Sequence, residues 1–180
     1  YLKGMVDTAF MAVMDVLLAF PALLLALSIV TFLDRKDVPT IALAIGVIAI
    51  PGIARLVRAN TLAFREREFV LAARTLGASH ARIIVREILP NVVPPVFSFA
   101  VVGVAGAIAA EAALAFVGVS VPLPTATWGG MIQQASAGDG VTSHPFQVFV
   151  PCAVLVITTV SLYFIGDRVG QLFNTREGAL

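Results

Sequence analysis

The sequence predicts an all-α membrane protein, a bundle of four spanning helices interrupted by one long basic loop. Composition and patterning lead there. Of the 180 residues, 59% are hydrophobic and 13% charged, with a mean hydropathy of +0.96, whereas soluble domains carry about 25% charged residues. The apolar residues are gathered into runs long enough to cross a bilayer. The charges are gathered as well. Residues 55–86 hold seven arginines and two glutamates, a net charge of +5 with His80 neutral.

In chain order, the first span is predicted over 8–33. Asp15 interrupts it, yet 16–33 is free of charge, and with 8–14 it is long enough for about 30 Å of hydrocarbon at about 1.5 Å per residue. Pro21 should bend this helix. DRKDVP makes a short polar turn. The second span, 38–54, has 17 uncharged residues, and Pro51 with Gly52 should kink it before Arg55. The third span is predicted over 94–116, where Gly103 and Gly106 allow close helix contact. Pro122 and Pro124 then open a loop rich in Gly, Ser and Thr that contains Met131 and Trp128, the latter read as an interfacial anchor. The fourth span covers 146–165, followed by a tail with Asp167, Arg168 and Arg176. If 55–90 is cytoplasmic, both ends of this chain are too, and ten of the 12 basic residues lie inside, with only Arg35 and Lys36 outside. The positive-inside rule expects such an asymmetry.

The basic loop reads as a built object. Phe69, Ala72, Ala73 and Leu76 stand at i, i+3, i+4 and i+7, one face of a short amphipathic helix. Gly77 can adopt the left-handed conformation that ends it. Ser79 is a good N-cap for a second helix, expected to run to Leu89 because Pro90 follows. The expected product is helix, glycine corner, helix.

AARTLGASHARIIVREILP resembles the "EAA" loop of bacterial ABC-importer permeases. Ala72, Ala73, Gly77, Leu89 and Pro90 match that pattern, while Leu71 replaces its leading Glu and Glu87 stands where Ile is usual. LPNVVPP, EAALAFVGVSVPLPTATWGGMI and DVLLAFP resemble the dipeptide/oligopeptide/nickel group, and the resemblance extends over nearly the whole chain. It implies a type I importer-like permease in the bacterial inner or plasma membrane, forming the path for peptides or similar small solutes. Phe69, Ala72, Ala73, Arg74, Leu76, Gly77, Ala78, Leu89 and Pro90 would form a cytoplasmic coupling-helix loop on ATP-binding subunits. The implied partners are two such ATPases, a second homologous permease chain and an extracytoplasmic substrate-binding protein. Such permeases usually have six spans, of which the last four match. With Tyr1 in place of an initiator Met, the chain is expected to lack N-terminal spans.

Glu111 and Asp15 are the polar residues that the spans must accommodate. A carboxylate within a span is costly and faces protein or water. Glu111 therefore reads either as part of the translocation path or as a buried hydrogen-bond partner near an interface. Asp15, nearer the inner edge, reads the same way with more weight on structure. They leave a rival open, an ion-coupled secondary transporter or channel, although that rival gives the basic corner no purpose. No catalytic residue, cofactor site or metal site is expected. The chain lacks GxxxxGK[ST], GxSxG and HExxH; Cys152 is alone; and His80 and His144 have no further ligand at metal-binding spacing. The basic residues are not spread as a nucleic-acid groove requires.

Overall fold

A computed structural model describes residues 4–119, 121–122, 124–137 and 140–177, with side chains to residue 173. Every regular element among them is helical: α1 (Met5–Ala19), α2 (Ala22–Leu33), α3 (Val38–Arg65), α4 (Glu68–Thr75), α5 (His80–Phe116), α6 (Trp128–Ala135), α7 (Gly140–Ser143) and α8 (Pro145–Glu177). The stretches Val38–Arg65, His80–Phe116 and Pro145–Phe173 are each long and apolar enough to cross a membrane. Helices α1 and α2 make a fourth if their bent pair is one span.

The predicted first span is not one helix. It breaks between α1 and α2 with a bend of 93°. Pro21 supplies no N–H, and its ring drives the preceding residue out of the helical region, so Phe20 is extended at φ −81°, ψ 137°. The helix of the second span does not stop at residue 54. Pro51 is buried within α3, which continues to Arg65. Arg55 and Arg58 end the apolar run, but backbone hydrogen bonding is indifferent to that change.

The largest departure is at Pro90. The second arm of the corner does not end at Leu89 but runs into the third span, so that α5 extends from His80 to Phe116 rather than starting at residue 94. Residues Ile84–Ile88 form a π-helical segment, closed by the Leu89 N–H donating to the Ile84 carbonyl. Such a wide turn re-routes carbonyls that would otherwise await the missing proline N–H. The helix of the fourth span likewise extends beyond 146–165, from Pro145 to Glu177. In the loop before it, the stretch with Gly129 and Gly130 forms α6, with Thr127 as N-cap accepting from the Gly130 N–H at 2.9 Å.

Two clusters mark the ends of the bundle. At one end Ala26 and Val30 of α2, Ile41 and Ala44 of α3, Leu114 of α5 and Val119 pack together. There Lys36 Nζ donates to the Gly118 carbonyl at 3.2 Å, and Asp37 caps α3 by accepting from the Thr40 N–H at 3.0 Å. Hydrogen bonds from Thr40 hold the exposed Asp37 carboxyl below its ordinary value. At the other end Phe64, Val70, Ile83, Ile88 and Val92 gather beneath the corner.

Between the clusters α5 and α8 pack side by side. A Cβ at Gly166 would stand 2.6 Å from Val102 Cγ2 and 3.2 Å from the Ser98 carbonyl oxygen, and one at Gly170 would stand 3.6 Å from Ser98. Rising numbers on α8 meet falling ones on α5, so the two are antiparallel. Gly166 and Gly170 are four apart, the small-residue spacing that lets membrane helices approach closely. The exposed faces of α8 carry Phe146, Phe149, Ile157 and Phe164, an ordinary surface for a helix solvated by lipid.

Candidate functional site: the helix–glycine–helix corner

Helix α4 is two turns long and too short to persist alone in water. Val70 anchors it, fully buried, with Ala73 and Ala78 packed against the same cluster of α3 and α5 side chains. Fully burying an aliphatic side chain contributes about 1.5–3 kcal/mol in water, so Val70 and Ile83 together can hold the corner. Gly77 sits at φ +77°. It permits the turn in which the Ala78 N–H donates to the Ala73 carbonyl at 3.0 Å and the Gly77 N–H to the Arg74 carbonyl at 2.9 Å. Ser79 Oγ then accepts from the Arg82 N–H at 3.4 Å, the N-cap expected from the sequence.

The predicted residues divide between two faces. Ala73 and Ala78 turn inward. Ala72, Arg74 and Leu76 are exposed, Phe69 is partly so, and Leu89 and Pro90 lie exposed farther along α5. Leu76, at the tip of the turn, is 87% exposed. Val70, the residue that fixes this arrangement, was absent from the sequence-derived set. Its signal was present three positions before Ala73, on the same helical face.

The two acids have separate surroundings. Asp15 Oδ1 accepts from Arg55 Nη2 at 2.7 Å, with both side chains more than half exposed. One helical stretch away, Asp7 takes the Arg58 guanidinium in a fork, at 2.9 Å from both Nε and Nη2. Glu111 is half-buried on α5 and engaged in an interaction of its own. Its Oε2 lies 3.0 Å from where a Cβ on Gly129 would stand, which puts the carboxylate beside the first turn of α6, the end a helix dipole makes favourable for negative charge. Among the described residues no group of three or more His, Cys, Asp or Glu side chains comes together as a metal-ligand set. An open cleft of about 360 Å³ lies beside α3, α5 and α8, with Leu56, Ser98, Phe99, Tyr163, Asp167 and Gln171 on its walls.

Helices of membrane-crossing length are thus joined by an anchored corner with an apolar tip. Residues 1–178 match the family described as binding-protein-dependent transport system inner membrane component. The chain belongs to this family. Its permease relatives include the glutathione transport system permease protein GsiD of Escherichia coli O6:K15:H31 (strain 536 / UPEC), 35% identical over 167 residues, covering 93% of this chain and 54% of that protein. The Shigella boydii serotype 4 (strain Sb227) protein of the same name gives the same figures. That of Shigella dysenteriae serotype 1 (strain Sd197) is 34% identical over the same length. The chain spans about half the length of the curated relatives it matches. All-α architecture and apolar helices of spanning length agree with membership in a family of membrane transport components.

Proposed function

We propose that this chain is a permease subunit of an ATP-driven importer, forming with a second homologous permease the path for peptides or similar small solutes. The corner at α4 and Gly77 docks in a groove on a cytoplasmic ATP-binding subunit, one of two, and transmits its closure to α3 and α5. A substrate-binding protein delivers cargo on the opposite side, at the end occupied by α6. The membrane is the bacterial inner or plasma membrane, with both ends of this chain cytoplasmic. The clustering of arginines in and beside the corner supports that orientation.

The observation that carries the reading is Leu76. An apolar side chain 87% exposed in a basic, polar turn is out of place facing water, and it is held there by a buried base rather than left on a loose loop. With Phe69 and Leu71 of α4 also exposed, this anchored tip belongs to an apolar surface of the kind that marks a protein interaction site. The peptide class is suggested by the glutathione transport named for the relatives. An ion-relay transporter is less well supported, because Asp15 is engaged by Arg55 and Glu111 is packed against α6.

The test is Leu76→Asp in the assembled system. Expected are loss of co-purifying ATPase and of ATP-dependent uptake, with membrane levels of the chain unchanged. Normal ATPase capture and normal uptake would overturn the docking role. Uptake that persists without ATP and collapses with an uncoupler would overturn the ATP-driven reading in favour of ion coupling.

A further inference from the structure

We propose that the Asp7–Arg58 and Asp15–Arg55 pairs form a two-point clasp that fastens α1 to α3. Through it, α1 moves with the helix that carries the corner rather than with α2, its neighbour in the chain. The coupling half of this proposal rests on the corner's docking role; the clasp itself does not.

Three observations carry it. First, α1 is severed from α2 by the 93° bend, and the extended backbone at Phe20 leaves no helical hydrogen bonding to transmit a torque across Pro21. Second, α1 has little packing to hold it. Met14 is its one buried residue among those described, while Met5, Val6, Phe10, Val13 and Val16 are more than half exposed. In lipid such apolar faces supply no drive for one helix to choose another, so specific polar contacts and close packing must do so. Third, the contacts present are charged and occur at two levels. Asp15 meets Arg55 at 2.7 Å, and Asp7 meets Arg58 in a fork at 2.9 Å.

The geometry suits a clasp better than two incidental surface pairs. Later residues on α1 pair with earlier ones on α3, so the helices run antiparallel there. The acids are eight residues apart, about 12 Å along the axis, and the arginines are three apart, about 4.5 Å. Long arginine side chains leave α3 close together and splay to reach acids spread along α1. One pair would leave α1 free to pivot; two at separated levels fix its direction as well. From Arg58, α3 continues through Phe64, which packs beneath the corner, to Arg65. The clasp thus lies on the corner's own supporting arm.

The experiment is hydrogen exchange on the assembled transporter in lipid nanodiscs, comparing the wild type with Asp15→Arg, Asp7→Arg, and the exchanged pairs Asp15→Arg with Arg55→Asp and Asp7→Arg with Arg58→Asp. Single reversals should raise amide exchange across 5–19 by about tenfold or more, and the exchanged pairs should return it to within about threefold of wild type. Exchange in α5 and α8 reports folding; should a reversal loosen them, Asp15→Asn or Asp7→Asn replaces it. Unchanged α1 exchange in the singles, or no recovery in the exchanged pairs, overturns the clasp.

Adding ATP then tests the coupling. In the wild type, exchange in both 68–76 and 5–19 should change, and the α1 response should vanish in the single variants. A response in the corner without one in α1 overturns the coupled motion while leaving the docking role intact. No response in the corner speaks against the docking role, and the pair exchanges alone then decide the clasp.

Discussion

Gly77 separates backbone geometry from every other property of the corner. Its φ is +77°, and a Cβ built there meets nothing within 4 Å. A substitution therefore meets no steric obstacle from neighbouring atoms, and its whole effect comes from forcing a side-chain-bearing residue into the left-handed region. That penalty is about 1–2 kcal/mol for an ordinary L-residue. One or two kcal/mol changes a two-state ratio by a factor of roughly 5–30, so Gly77→Ala should reduce the population of the corner's left-handed form by that order. Gly77→Val should do worse, since β-branched residues are true outliers at positive φ. Gly77→Asn should be close to wild type, because its side chain tolerates this conformation. Gly77→Asp has nearly the shape of Asn, so any difference between them isolates the added negative charge on the proposed docking face. The assay is ATPase co-purification and initial uptake rate, each normalised to the amount of chain in the membrane. Expected is the order Gly, Asn, Ala, Val, with Asp below Asn. Equal activity of Ala and Asn, or a normal Val variant, would show that the left-handed corner is not what the partner requires.

Other substitutions test the remaining contacts. At Gly129 a Cβ would lie 2.5 Å from Ala112 Cα and 3.0 Å from Ala115 Cβ, so Gly129→Ala should cost about 1–3 kcal/mol by overpacking against backbone and lower the unfolding temperature in detergent, while Gly103→Ala, with open space around it, should not. Glu111→Gln keeps the side-chain shape beside α6 and should leave uptake largely intact, with a stability loss of about 0.5–1.5 kcal/mol; near-total loss of uptake at normal membrane levels would show that the charge is required. Asp37→Ala should lower the unfolding temperature by removing the α3 cap, with Asp37→Asn restoring it. Because the Asp37 pKa is lowered from 3.8 by its hydrogen bonds to Thr40, its stabilising contribution is present above 3.8 and lost as pH falls through the lower folded value. That acid-side loss should be absent from the Asn variant in a pH series of thermal melts.

What could be read from the sequence was whatever local spacing records. Lipid demands long apolar stretches, so the four runs were visible, and the corner was visible because Gly77 and Ser79 act on their immediate neighbours. The residues that escaped are governed by partners distant in sequence. Asp15 looks like an isolated intramembrane acid, and Asp7 like a flanking charge before the first span, until Arg55 and Arg58, 40 and 51 residues away, are brought beside them. Gly129 looks like loop glycine until Ala112 is found against it. The short α6 was hidden because glycines after Trp128 lower helix propensity, and its packing on α5 outweighs them.

Pro90 is the most instructive case, because its local rule was followed and still misled. Proline does remove a helical donor, and the expected remedy was to end the helix at Leu89. The chain instead widens the preceding turn into a π segment, with the Leu89 N–H bonded to the Ile84 carbonyl, and continues. The two outcomes have opposite mechanical meanings. A helix ending at Leu89 would make the corner a separate element joined to the third span by a flexible link, able to rock without moving it. A helix continuous from His80 to Phe116, roughly 55 Å at 1.5 Å per residue, carries Ile83 beneath the corner and Leu114 in the opposite cluster. A displacement imposed at Leu76 through the buried base then reaches the end of the bundle where α6 packs, without crossing a break in helical hydrogen bonding as wide as the one at Pro21. Helix α5 is for that reason the element through which the proposed docking corner would act on the path.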